Sequence, residues 1–319
     1  MYKKITYNLR NYTFKGALRG TPPLEGVGRN GVRPRGRFSP LYKINIACTI
    51  SVYYFFCYNH PMRNKQNNEL AVCGFSAVKK LEKLHGDKIR RLYFTEETAP
   101  LFGGLCKKLA ARKGIYNKVK DPVELEKLSG TVHHQGVVAM IYMPEIIPLD
   151  SDITDEWIEN GENAILLDHI GNANNFGAIV RSAAFFGIKN IVIPEDDATS
   201  AITTSSYRIA EGGMEFVNIY SVRSIGKLLE ALKGSMVRIG TDLAERSKSS
   251  RDIKNLCKGK PAIVVLGNEE HGISDESRKN CDELVIIPFA GMTSGAKNSP
   301  VDSLNVAQAA SIVLYELSK

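Results

Sequence analysis

Several features are scarce in this sequence, and each absence narrows the reading. There is one tryptophan, and the six cysteines (Cys48, Cys57, Cys73, Cys106, Cys257, Cys281) are scattered, with no C-x-x-C pair and no histidine at metal-ligand spacing from them. That argues against a disulfide framework or a zinc site and reads as free thiols in a reducing cytoplasm, with no metal. Long apolar runs are missing too. The longest, Ile44 to Tyr58 (INIACTISVYYFFCY), covers about fifteen residues, short of the ~20 that a membrane helix needs. Its β-branched and aromatic content is closer to a strand. It also starts too far into the chain, and without a small-residue cleavage site, to be a signal peptide. No membrane association is expected. Finally, no G-x-G-x-x-G follows the first strand of the C-terminal half with an acid some twenty positions on, so a dinucleotide site is excluded.

What is present is basic, but unevenly so. The chain has 42 Lys/Arg and 34 Asp/Glu; ten of the bases and one acid (Glu25) lie in residues 1–61, leaving 32 and 33 for the remainder. The folded part is therefore not globally basic, and affinity for nucleic acid has to come from local patches such as Lys88, Arg90, Arg91 or Lys107, Lys108, Arg112, Lys113. Residues 1–63 read as a basic, disordered extension, since Gly26 to Arg37 (GVGRNGVRPRGR) is rich in Gly and Arg with no apolar periodicity. The composition break at His60-Pro61-Met62 also fits a chain that starts at Met62, which N-terminal peptide mapping would decide.

With 319 residues, 43% of them hydrophobic, two domains are expected. Residues 64–145 alternate strand and helix patterns: AVCGFSAVKKLEKL with a cap at Ser76, IRRLYF as a strand, helical periodicity from Pro100 to Arg112, a helix after Asp121-Pro122, and an apolar closing strand at 133–143. This predicts a small α/β domain. Residues 144–162 hold two prolines and seven acids, and a linker is placed at 146–162, with Trp157 packing between domains. From 163 to 319 the pattern is again strand–helix, beginning with AILLDHI and continuing through a βαβ unit to NIVIP.

Two glycine-bearing turns and a helix start carry the candidate chemistry. The strand at 262–266 ends in Gly267, with Glu269 and Gly272 behind it; the strand at 284–287 ends in Pro288; and Ser303-Leu304-Asn305 opens a long apolar helix, with Ser303 as its cap. Such turns place backbone groups at the carboxyl edge of a parallel sheet, where open α/β sheets bind ligands. Asn172, Asn174 and Asn175 cluster at a further helix start, more asparagines than capping needs. Arg181, flanked by apolar residues, is expected to be partly buried and to need an anionic partner.

NANNFGAIVRSAAFFG (172–187), GNEEHG (267–272), VIIPFAG (285–291) and SLNV (303–306) together resemble the motifs of the SpoU family, RNA 2'-O-ribose methyltransferases of the SPOUT superfamily. The resemblance is strong over 163–319. It extends more weakly over 68–143, where HQGVVA (134–139) is similar to the ribosomal-protein-like substrate-binding domain that often precedes the catalytic one. It implies a parallel-sheet α/β domain with a C-terminal trefoil knot, a homodimer, S-adenosyl-L-methionine as cofactor, and tRNA or rRNA as substrate. It further implies a polar active-site set of Asn175, Arg181, Glu269, Ser303 and Asn305. Main-chain cofactor contacts fall to Leu266, Gly267, Ile287, Pro288 and Leu304. A departure from the family is the turn at 289–302, which is longer than the usual connection. A non-catalytic RNA-binding relative and a base-methylating SPOUT enzyme are the rival readings.

Overall fold

The structure, a computed structural model, describes residues 68–197, 201–242, 247–290 and 303–319. The extension at 1–63, with its apolar run, and all but the first two residues of the 289–302 turn lie outside the described residues. So does the chain path on which the expected knot depends.

Two sheets follow one another along the chain. The first is built from β1 (Glu69–Cys73), α1 (Phe75–His85), β2 (Ile89–Phe94), α2 (Gly103–Ala111), β3 (Ile115–Lys118), α3 (Val123–Ser129) and β4 (Val137–Tyr142), in the order β1-β4-β2-β3. The central strand β4 is antiparallel to β1 and β2. It reads as an unbroken apolar run because both of its faces are covered. Val137, Ala139 and Ile141 join the core beneath α1 and α2, while Val138 and Met140 pack against Leu125 of α3. The expected cap at Ser76 is corrected. Helix α1 starts at Phe75 behind Gly74 with no side-chain cap, and the Ser76 hydroxyl donates elsewhere, to the Glu211 carbonyl at 3.2 Å.

Residues 146–162 hold more structure than the linker reading expected. β5 (Ile147–Pro148) pairs with a strand of the second sheet, and α4 (Ser151–Glu159) is capped by Asp150, whose carboxylate accepts from Ile153 N at 3.0 Å. Asp152, Asp155, Glu156 and Glu159 lie on the solvated side of an amphipathic helix; Trp157, 2% exposed, is on the other side, edge-on to Tyr220 at 5.3 Å.

The second sheet continues with β6 (Ala164–Asp168), α5 (Ala173–Phe185), β7 (Asn190–Pro194), α6 (Thr204–Ala210), β8 (Asn218–Val222), α7 (Ile225–Ala231), β9 (Val237–Thr241), β10 (Lys248–Ser249), α8 (Ile253–Cys257), β11 (Ala262–Gly267), α9 (Asp275–Asn280), β12 (Glu283–Ile286) and α10 (Val306–Ser318). Its order is β10-β12-β9-β11-β6-β7-β8-β5, and every described pairing is parallel. Alternate residues of the central strands face opposite helix layers. Ile165, Leu167, Val264 and Leu266 pack under α5, α6 and α10, and Leu166, Val192, Ile263 and Val265 under α4 and α7. The direction of strand progression reverses between β6 and β11, which puts the topological switch point at their carboxyl ends.

Strand β9 carries a buried charge. Arg238 on β9 is 4% exposed; its Nε donates to Asp282 Oδ2 at 3.0 Å, its Nη2 to Asp282 Oδ1, and its Nη1 to the Leu229 carbonyl at 3.0 Å. The Arg238 guanidinium holds the Asp282 carboxyl below the usual carboxylate range. A depressed folded-state pKa stabilises above the unfolded value of ~3.9 and loses that contribution as pH falls through the lower folded value. Asp282→Asn is expected to cost about 2 kcal/mol at pH 7, less than the ~3–5 of a fully buried pair because the Asp282 side chain is 38% exposed. Urea unfolding should show the difference from wild type shrinking below about pH 4; a difference that stays constant into acid would refute the ion-pair account.

Candidate active site

At the switch point Asp168, the last residue of β6, pairs in register with Gly267, the last of β11. Asp168 is 1% exposed, and its Oδ2 accepts from Ser274 N at 2.7 Å and Ser277 Oγ at 2.6 Å. A buried carboxylate thereby fastens the far end of the 267–274 turn to the neighbouring strand. Asn268 fastens the near end. Its Nδ2 donates to the His169 carbonyl (3.0 Å), its Oδ1 accepts from Glu270 N (2.8 Å), and its main chain pairs both ways with Gly272 (3.0 and 2.8 Å). Closure of this turn brings the Gly272 backbone against Gly267, where a Cβ would sit 2.2 Å from the Gly272 carbonyl carbon. Gly272 itself has φ 69°, a conformation that glycine adopts without strain.

From this turn Glu269 reaches the helix starts. Its Oε1 accepts from Asn175 Nδ2 at 2.6 Å and from Asn305 Nδ2 at 2.7 Å, and Asn305 Nδ2 also lies 3.1 Å from Asn175 Oδ1. One carboxylate and two amides thus tie α5, the β11 turn and the start of α10 together. The three asparagines separate by role. Asn172 caps α5, accepting from Asn174 N at 2.8 Å; Asn174 accepts from Ser205 Oγ at 2.6 Å and ties α5 to α6; only Asn175 enters the network. Asn305 also caps α10 through Ala307 N at 3.0 Å, so the cap expected of Ser303 belongs to the residue two positions on. The helix begins at Val306, which makes Asn305 its flanking residue. Ser303 and Leu304 are exposed ahead of it.

Arg181 corrects a second expectation. The inward positions of α5 are Phe176, Gly177, Ile179, Val180 and Ala183, and Arg181 points outward, its side chain 56% exposed. Apolar neighbours in sequence did not imply burial, because successive helix residues turn by about 100°. Its partner is Glu211, with Nη1 3.0 Å from Oε1. Arg181 lies six residues beyond Asn175, about 9 Å along the axis, and outside the amide network.

The positions expected to hold a cofactor are main-chain ones. Leu266 is fully buried and offers only its backbone; Gly267 ends β11; Ile287 and Pro288, half-buried, follow β12. β11 and β12 flank β9, so these backbone groups line one edge of the sheet. That edge is apolar and peptide-lined, and among the described residues no three His, Cys, Asp or Glu gather as a metal site. Beside it His169 stands between Asp168 (3.7 Å) and Asp197 (3.6 Å), and burial pushes the Asp197 carboxyl up from its ordinary range. Asp168 and Asn268 were missed in the sequence. A lone acid at a strand end and an Asn beside the glycine are common, and only their long-range partners distinguish them.

Residues 162–315 match the SpoU rRNA Methylase family, and residues 71–146 match the family described as RNA 2'-O ribose methyltransferase substrate binding. The chain is 33% identical over 212 residues to the 23S rRNA (guanosine-2'-O-)-methyltransferase RlmB of Acinetobacter baylyi, covering 65% of this chain and 80% of that one. With the enzyme of the same name from Nitrosomonas europaea it shares 26% identity over 245 residues, 77% of this chain and 89% of that one. The fold is similar to that of the SpoU methyltransferase AviRb from Streptomyces viridochromogenes, solved in complex with the cofactor AdoMet. There the TM-score is 0.60 at 23% identity, over 82% of this chain and 94% of that one.

Proposed function

The chain belongs to the SpoU rRNA methylase family, and from that premise we propose that it methylates a ribose 2'-hydroxyl of ribosomal RNA, with S-adenosyl-L-methionine as methyl donor. The observation that carries the reading is the hydrogen-bonded set Asn175–Glu269–Asn305. It joins three motifs separated by 94 and 36 residues at the switch point of a parallel sheet. The two relatives named as 23S rRNA guanosine-2'-O-methyltransferases support ribosomal over transfer RNA.

The cofactor supplies a methyl group on a positively charged sulfur, and its leaving group departs neutral. The chain's own task is therefore placement and charge stabilisation more than covalent chemistry. Main-chain groups of Leu266, Gly267, Ile287, Pro288 and Leu304 would hold the cofactor. Glu269 and Asn305 keep the turns in register, and Ser303, exposed two residues ahead of Asn305, would address the ribose hydroxyl. Arg181 serves as a phosphate clamp, because a guanidinium stays protonated and makes a poor base. Its exposure leaves it open to RNA.

Profiling ribose methylation in ribosomal and transfer RNA, with and without the gene, tests the reading. A single ribosomal 2'-O-methyl is expected to disappear. Loss of a tRNA mark moves the target, and loss of a base methyl sinks the ribose assignment.

We further propose a homodimer and a cytoplasmic location. Phe185 is 83% exposed and stands edge-on to Phe186, which meets Tyr315 of α10 at 6.0 Å beside the exposed Ile312. Such an apolar aromatic patch fits a self-complementary interface. Phe185→Asp is expected to shift the sedimenting species from dimer to monomer at micromolar concentration. An unchanged mass removes this patch as the interface. The cysteines in the described residues are free, as a reducing compartment leaves them.

A further inference from the structure

Helix α1 of the first sheet packs on the segment that follows α6. Besides the Ser76–Glu211 hydrogen bond, His85 Nδ1 meets Glu215 Oε2, and Lys80 Nζ lies 5.6 Å from the Phe216 ring. The open side of α1 forms a groove of about 580 Å³ lined by Phe75, Ser76, Lys79, Lys80, Lys83 and Lys108. Its single acid, Glu82, is engaged by Lys79 at 2.8 Å. Lys80, Lys83 and Lys108 are exposed and have no carboxylate partner among the described residues. Like charges at i,i+3 and i,i+4 on one helix repel, as Lys80–Lys83 and Lys79–Lys83 do here. Residues 62–319 carry 32 bases and 33 acids, so the groove is a local concentration of charge and not a sample of a basic surface.

The groove leads to Arg181. Ser76 lines it and bonds to Glu211, whose carboxylate holds Arg181. Glu211 has φ 48°, a left-handed conformation in a non-glycine residue. This costs about 1 kcal/mol, although the next residue is a glycine. A strained position whose side chain meets the candidate phosphate clamp points to function.

We propose that the α1 groove is the track along which the phosphate backbone of the substrate RNA reaches Arg181, and that Glu211 occupies the clamp until a phosphate displaces it. From Ser76 to Lys83 the track runs about 10 Å, the rise of about three nucleotides. The inference rests on the RNA reading above and assigns that RNA a path.

Lysine acetylation footprinting of the full chain tests it, with an in vitro transcribed, unmodified 23S ribosomal RNA as the probe and labelling read by mass spectrometry. RNA is expected to slow acetylation of Lys80, Lys83 and Lys108 at least fivefold and to leave Lys227 and Lys279 unchanged. The triple variant Lys80→Gln/Lys83→Gln/Lys108→Gln should bind this RNA with a log Kd against log salt slope shallower by about 2. It should titrate S-adenosylmethionine as wild type does, which separates charge loss from misfolding. Glu211→Gln should bind RNA several-fold tighter. RNA that shifts the protein on a gel yet leaves the groove lysines equally labelled overturns the track and spares the RNA reading. A wild-type protein that binds no RNA overturns both.

Discussion

Replacing Glu269 by alanine is expected to lower kcat/KM for RNA methylation by about 100-fold, or about 2.7 kcal/mol, while moving the melting temperature by only a degree or two. Glu269 Oε1 is the shared acceptor for Asn175 and Asn305, at 2.6 and 2.7 Å. Hydrogen bonds to a charged group contribute about 1.5–3 kcal/mol each, but these groups border solvent, and water replaces a lost partner cheaply. Little stability is therefore at stake. What is lost is the fixed relation between the α5 start, the β11 turn and the α10 start, and reaction geometry is sensitive to displacements of an ångström. Glu269→Gln keeps an acceptor without the charge and should lose about tenfold, between wild type and alanine. In the double variant Glu269→Ala/Asn175→Ala the two losses should fall well short of additive, because both act through one unit. Steady-state kinetics decide the matter: strictly additive losses, or a Glu269→Ala rate near wild type, remove the network from the mechanism.

Gly267→Ala is expected to be the most damaging single-methyl change in the site. The added Cβ would stand 2.2 Å from the Gly272 carbonyl carbon, 2.3 Å from Ile273 N and 2.4 Å from Gly272 O, all backbone atoms. The turn cannot yield by rotating a side chain. It has to open, which breaks the two-way Asn268–Gly272 pairing and moves Glu269. Forced overpacking costs about 1–3 kcal/mol, so we expect a fall in melting temperature of roughly 4–10 °C and loss of S-adenosylmethionine binding by more than about 30-fold. Gly171→Ala in the neighbouring turn is the control, since a Cβ there meets nothing within 4 Å. Calorimetric titration and a thermal melt read both. A Gly267→Ala protein that melts and binds like wild type would show that the turn's closure is incidental to the site.

Both effects were visible in the sequence only in part. Gly267, Glu269 and Asn305 stood out because a strand that stops at a glycine, and a polar residue that starts a helix, are local patterns. The same holds for the small sheet domain and for the parallel sheet, whose alternation of apolar strands and amphipathic helices is written at periods of two and 3.6 residues. Where local pattern was ambiguous, the reading strayed. Ser303 and Asn305 are both good caps, and the helix chose the second. Arg181 looked partly buried among apolar neighbours; it has the anionic partner expected of it, Glu211, but points outward. The acidic stretch at 144–162 looked like a connection and contains a helix anchored by Trp157, since periodicity over nine residues is a weak signal beside two prolines and seven acids.

The sequence by itself determined most of the elements and which turns end the strands of the parallel sheet, because hydrophobic period, capping and turn preference act over a few residues. Tertiary structure alone decided the rest. The insertion of β11 between β9 and β6 sets Asp168 beside Gly267. Asp168 fastens a turn 106 residues away, and Asn268 reaches back 99 residues to the His169 carbonyl. Glu211, at a helix end, faces both Arg181 and the first helix of the other sheet. These pairings are contacts between segments distant in sequence, and a buried carboxylate or a strained glutamate shows its role only once the fold supplies its partners.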